Sequence, residues 1–180
     1  MHFTLADLVT DITQNAVESG AGTVELEIAE TGGGEFRFLV RDNGKGMTKE
    51  ELNRAIDPFV TDGIKHPNRK VGLGLPFLIQ TADQSGGGWD IKSEKGEGTT
   101  VTAWFDLGNV DIPPTGDVAL MFRTILMFNS SAEIIIRRKK PEQDEYEVRK
   151  SELIEALGGL EDTGSLVLLG EYLQSLENES

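Results

Sequence analysis

Four short stretches of this chain hold residues whose types and spacing could do chemistry. Asp11 and Asn15 lie four apart in "DITQN", a spacing that puts both on one face of a helix. Asparagine offers a neutral oxygen suited to magnesium, which needs only one or two protein ligands beside waters and phosphates. An aspartate one turn earlier could orient a water or hydroxyl as general base. In "VRDNGKGM", Asp42 closes an apolar run, and Gly44 and Gly46 flank a lysine. Read alone this is a turn, since Asn-Gly is a strong turn signal. A carboxylate at a strand end can also accept a hydrogen bond from the exocyclic amine of adenine, while glycines let the backbone approach a flat base. "KVGLGL" places Gly72 and Gly74 where a helix opens, leaving N–H groups to cradle phosphates at its positive end. In "GEGTTVTAW", Thr99 or Thr100 could hydrogen-bond around the base.

The elements that must hold these residues are legible in the pattern. Leu5, Leu8, Val9, Ile12 and Ala16 recur at helical spacing, so Thr4 to Ser19 is a predicted helix. Thr4 and Asp7 form its capping box, and Gly20 is its stop. The face bearing Asp11 and Asn15 adjoins the apolar stripe. "TVELEIA" and "EFRFLVRD", joined through Gly32 to Gly34, predict an antiparallel hairpin that delivers Asp42. Thr48 and Glu51 predict a second capping box, on a short helix that Asp57-Pro58 ends. Phe59 to Val71 lacks periodicity and holds Gly63, Lys65, Pro67, Arg69 and Lys70, so a mobile loop is expected. A glycine-led apolar helix follows, then a second hairpin in "WDIKSEKGEGTTVTAWFDL" turning near Lys95 to Gly98.

Composition narrows the classes. The 180 residues fit one domain or one domain with a small annex, and 38% hydrophobic with 27% charged residues is ordinary for a globular protein. The absence of cysteine rules out disulfides, thiolate zinc and a cysteine nucleophile. A net charge of −14 would repel a phosphate backbone, so nucleic acid is not an expected partner. No apolar run suits a membrane span and no signal peptide is visible, so a cytoplasmic location is the expectation. "GNVDIPPTG" (108–116) reads as a linker. Beyond it lie an apolar helix in "DVALMFRTILMF", strands in "AEIIIRRKK" and "EYEVRK", and helices near Glu152 to Leu157 and Leu166 to Leu176. The seven acids after Lys150, unaccompanied by any base, are read as a solvated helix face. For the apolar helix, core burial is expected and a partner or homodimer contact is left open.

"DITQNAVESG", "DNGKGM", "DPFVTDG", "KVGLGL" and "GEGTTVTAWF" follow one another in the order and spacing of a known domain. The chain from Thr4 to about Leu107 resembles the GHKL ATP-binding domain shared by gyrases, heat-shock chaperones, histidine kinases and mismatch-repair ATPases, and looks most like the histidine-kinase branch. The resemblance implies an α+β fold, a two-layer α/β sandwich of the Bergerat type with helices on one face of a mixed sheet. The domain would occupy 1–107, with the small α/β annex at 117–180. It implies ATP and magnesium as cofactors, Asn15 on the metal, Asp42 on adenine, Gly44 and Gly46 shaping the base pocket, and Gly72 and Gly74 at the phosphates. Met47, Phe59, Lys70, Leu73, Leu75, Thr99 and Thr100 would border the nucleotide, and Phe59 to Val71 would be a lid with Lys65, Arg69 and Lys70 facing the phosphates.

Three departures qualify the match. Lys70 stands where histidine kinases usually have a glycine. Asp11 is similar to the glutamate base of the chaperone and mismatch-repair ATPases and of the related serine-kinase anti-sigma factors. With the first box beginning at residue 4, no dimerisation helix bearing a phosphoacceptor histidine is expected, and His2 and His66 are read as a terminal and a solvated residue. The expected function is phosphoryl transfer from ATP to a separate protein, or slow hydrolysis, with Asp11 catalytic. The alternative is a non-catalytic ATP sensor acting on a protein partner.

Overall fold

The computed structural model describes residues 3–59 and 74–178. In chain order the elements are α1 (Leu5–Glu18), β1 (Thr23–Glu30), β2 (Glu35–Asp42), α2 (Lys49–Ala55), α3 (Gly74–Gln84), β3 (Gly88–Glu94) and β4 (Gly98–Asp106). After these come α4 (Val118–Leu126), β5 (Glu133–Lys139), β6 (Tyr146–Arg149), α5 (Lys150–Leu157) and α6 (Thr163–Asn178). The expected Phe59 to Val71 lid, with Lys65, His66, Arg69 and Lys70, lies outside the described residues apart from Phe59, as do Gly72, Leu73 and His2.

Local chemistry starts and stops the first helix where the sequence says it should. The Thr4 hydroxyl accepts from the Asp7 N–H at 3.1 Å, and the Asp7 carboxylate accepts from the Thr4 N–H at 3.0 Å. Two further N–H groups at this end, of Leu5 and Ala6, donate to the carbonyls of Pro114 and Thr115. The segment read as a linker is thus tied to the start of α1. A reciprocal Thr48–Glu51 box opens α2.

The strands form one mixed sheet in the order β3-β4-β2-β1-β5-β6. Every neighbouring pair is antiparallel except β1 and β5, which run parallel with Val24 beside Ile134. Period-two alternation sends Val24, Leu26 and Ile28 of β1 inward, with Phe36, Phe38 and Val40 of β2, Val101, Ala103 and Phe105 of β4, and Ile134 and Ile136 of β5. These pack with the apolar stripes of α1, α3, α4 and α6 into a continuous core. The fold is the expected α+β sandwich, and residues after 116 extend both its sheet and its core. The opposite face is polar: Glu25 is paired with Arg41 and Arg137, and Glu147 with Arg137 and Arg149. Such half-exposed pairs contribute little to stability.

Two buried polar residues fall in the inward phase. Asp42 follows Phe36, Phe38 and Val40, and Arg138 follows Ile134 and Ile136; both are buried. Arg138 meets Glu177 of α6, which also accepts from Tyr146. Glu177 is therefore an exception to the solvated-face reading of the C-terminal acids; its side chain is only 10% exposed. Among the described residues no helix is long and apolar enough to cross a membrane.

Candidate nucleotide-binding site

Asp42 ends β2 under the last turn of α1, at the back of a cavity of about 400 Å³. Ile12, Ala16, Val40, Met47, Ala55, Leu75 and Val101 supply the apolar walls, and Asn15, Ser19 and Thr99 supply polar groups. Asp42 is 8% exposed. Its Oδ1 accepts from the Gly44 N–H at 2.9 Å and the Ser19 hydroxyl at 3.2 Å. Burial raises its pKa, against those hydrogen bonds and one from the Thr99 backbone, which favour the anion. A polar acceptor held rigidly at the end of an apolar slot is what a flat heterocycle with one outward amine requires.

The neighbouring residues hold this carboxylate in place. The Asn43 side-chain oxygen accepts from the Gly22 and Thr23 N–H groups at 2.9 and 3.0 Å, tying the start of β1 to the end of β2. Ser93 Oγ accepts from the Met47 N–H at 2.8 Å and lies 2.7 Å from Thr99 Oγ1, so the Thr99 hydroxyl is fixed from behind. None of Ser19, Asn43 or Ser93 stands out in the sequence, because each acts through a partner distant in the chain.

The glycines of "DNGKG" are explained first by protein neighbours. A Cβ at Gly44 would lie 2.0 Å from Ser19 Oγ, and one at Gly46, where φ is +64°, would lie 1.9 Å from the Glu94 carbonyl oxygen. Both glycines are thus needed whether or not a base is present. Gly46→Ala meets backbone and a left-handed conformation together, and is expected to cost more than about 1 kcal/mol. Denaturant unfolding checks this; an unchanged midpoint would mean the turn can move away.

The predicted site residues divide as follows. Asn15, Asp42, Gly46, Met47, Leu75 and Thr99 line the cavity, and Gly44 backs Asp42. Gly74 begins α3 against Asn15, since a Cβ there would lie 3.4 Å from the Asn15 amide nitrogen. This sets the Asn15 side-chain amide beside the start of α3. Thr100 pairs with Arg41 and Lys92, is one step out of phase with Thr99, and borders a second depression that Asp42, Asn43 and Thr99 also border. Phe59 is 89% exposed and does not line the cavity among the described residues. Asp11 is exposed one turn before Asn15 and is also not a lining residue. Gly72, Leu73 and Lys70 lie outside the described residues.

The α+β sandwich holds this cavity between its helices and its sheet. Residues 3–109, more than half of the chain, match the family of histidine kinase-, DNA gyrase B-, and HSP90-like ATPases, and the chain belongs to that family. It carries an ATP-binding domain, as the motif resemblance implied. It is 26% identical over 114 residues to the sensor histidine kinase ZraS of Escherichia coli (strain K12), covering 62% of this chain and 23% of that protein. With the DNA mismatch repair protein MutL of Thermus aquaticus it shares 38% identity over 69 residues, 38% of this chain and 13% of the relative. The chain therefore spans less than a quarter of the length of either. The solved N-terminal domain of a DNA repair protein is similar in fold, with a TM-score of 0.53 at 14% identity, covering 91% of this chain and 58% of that one. That likeness runs past residue 109 into the added strands and helices.

Proposed function

We propose that the chain binds magnesium-ATP in the cavity over Asp42 and supports transfer of the terminal phosphoryl group to a separate protein or, slowly, to water. The observation that carries this reading is the buried Asp42 carboxylate, fixed by Ser19 and Gly44 at the end of an apolar slot. In this reading Asp42 accepts from the adenine amine, and Met47, Leu75 and Val101 pack on the base. Asn15 holds the magnesium ion, which when bound neutralises phosphate charge. The N-terminus of α3 at Gly74 receives phosphate oxygens, with Lys70, Gly72 and Leu73 as the expected continuation of that cradle. Asp11 takes the proton of the attacking hydroxyl, amine or water. Asp11 lies at the surface of α1, outside the cavity lining.

One observation favours a second reading, an ATP sensor that signals to a protein partner without turnover. Asp11 does not line the cavity, so the base is in place only if the acceptor brings the reacting atoms to it.

Calorimetry with ATP and GTP in the presence of magnesium tests the binding half of the proposal. ATP is expected to bind more tightly than GTP. Asp42→Ala is expected to lose about 1–3 kcal/mol of ATP affinity, because a desolvated amine is left without an acceptor. Equal affinity for the two nucleotides, or a variant that binds as the parent does, overturns it.

A further inference from the structure

The two edges of the sheet are finished differently. β6 is four residues long and runs straight into α5. Its Glu147 and Arg149 pair with each other, with Arg137 and with Glu152. β3, at the other edge, is seven residues long and pairs with β4 in unbroken register from Gly88 to Glu94. It contains no proline, and among the described residues β4 is its only strand partner. A long, regular edge strand offers a row of N–H and carbonyl groups to a further strand.

The side chains of β3 specify which strand fits. Asp90 and Lys92 project from the polar face of the sheet, 3.8 Å apart, with side chains 53% and 81% exposed. Trp89 and Ile91, opposite Ala103 and Val101 of β4, point inward and are only partly buried at the margin of the core. In a two-fold antiparallel pairing of β3 with itself, facing residues share a face of the sheet, so the axis passes through a residue. Ile91 is the midpoint of the strand, and the register centred on it uses all seven residues. That register sets Asp90 opposite the partner's Lys92 and Lys92 opposite the partner's Asp90, and brings the two Ile91 side chains together. Moving the axis to Asp90 sets two aspartates face to face, and moving it to Lys92 does the same with two lysines. Opposite charges across a strand pair favour it and like charges oppose it. The register that uses the whole strand is therefore the one whose charges match.

We propose that β3 is a homodimer interface, at which the edge strands of two copies pair antiparallel about Ile91 and join two six-stranded sheets into one. Main-chain hydrogen bonds hold the pair, while Asp90 and Lys92 select the register and the partner. A single strand pair covers little surface, so the equilibrium is weak and depends on concentration. None of Trp89, Asp90, Ile91 and Lys92 lines the cavity over Asp42, so dimerisation and ATP binding are tested independently.

The test is sedimentation of the full chain over a concentration series reaching about 1 mM, for the parent, Asp90→Lys, Lys92→Asp and the double variant. The parent is expected to show a monomer–dimer equilibrium. Each single variant sets like charges across the axis and is expected to weaken dimerisation about tenfold. The single variants move the net charge in opposite directions, so a loss in both is not an effect of overall charge. Asp90→Lys with Lys92→Asp restores opposite charges in the same register and is expected to return the dimer to within about threefold of the parent. Both side chains are exposed, and circular dichroism checks that each variant keeps the fold. A parent that stays monomeric through the series overturns the inference. A dimer that the single variants leave unchanged, or that the double variant does not restore, overturns it too, because the copies then meet on another surface.

Discussion

Glu177→Ala is expected to cost about 3–5 kcal/mol of folding stability, since it strips a buried cation of its main partner. Arg138 is 3% exposed, and its guanidinium binds Glu177 through Nε at 3.1 Å and Nη2 at 3.2 Å, with Glu30 accepting from Nη2 at 2.5 Å. Tyr146 donates to the same Glu177 carboxylate, and Lys140 donates to the Glu177 carbonyl. Removing the Glu177 side chain leaves Arg138 half-paired and a half-buried phenol without its acceptor, and it loosens the end of α6. Burial opposes the Glu177 charge, but hydrogen bonds from Arg138 and Tyr146, with the charges of Arg138 and Lys140, hold its carboxyl below the usual range. The linked stability is therefore fully present above the ordinary glutamate value of 4.5 and is lost as pH falls through the lowered one. Denaturant melts of parent and variant at pH 7 and in acid measure both effects. A loss under about 1 kcal/mol at pH 7 would show that α6 is held by its leucines alone.

The second large effect separates enzyme from sensor. Asp11→Asn is expected to leave ATP affinity nearly intact while turnover falls by roughly 10²-fold or more, because it removes a proton acceptor and keeps the side chain's shape. Asn15→Ala should instead weaken magnesium-dependent binding, since on the proposed reading it removes the oxygen that would hold the ion. Single-turnover assays with long incubations and candidate acceptor proteins, run beside calorimetry, distinguish the two. Equal rates for parent and Asp11→Asn, with and without acceptors, would leave Asp11 a surface carboxylate and give the sensor reading the field.

Local chemistry is what the sequence discloses. The Thr4–Asp7 and Thr48–Glu51 boxes each close within a single turn of chain, so both helix starts are legible from residue types and spacing alone. The hairpins follow from alternation, and Asp42 can be placed because it ends an apolar run. The contacts that make Asp42 useful are not legible in the same way. Ser19 lies 23 positions away, and its meeting with Asp42 depends on where α1 stops relative to β2. Thr99 and Thr100 look alike in sequence; only the register of β4 against β2, which sets Thr99 opposite Asp42, decides which faces the cavity. Glu177 looks like one more solvated acid because its cation stands 39 positions earlier.

The parallel pairing of β1 with β5 has a consequence for any shortened form of the protein. β1 is an interior strand, bonded on one side to β2 and on the other to a strand that arrives far later in the chain. Cutting the chain after Gly116 would keep the whole family-matched region yet turn β1 into an open edge, with a row of unpaired N–H and carbonyl groups beside Leu26 and Ile28. Such an edge is a template for strand addition between molecules. The shortened protein should therefore gather into aggregates or swapped pairs even with every cavity-lining residue retained, since all of those precede residue 116.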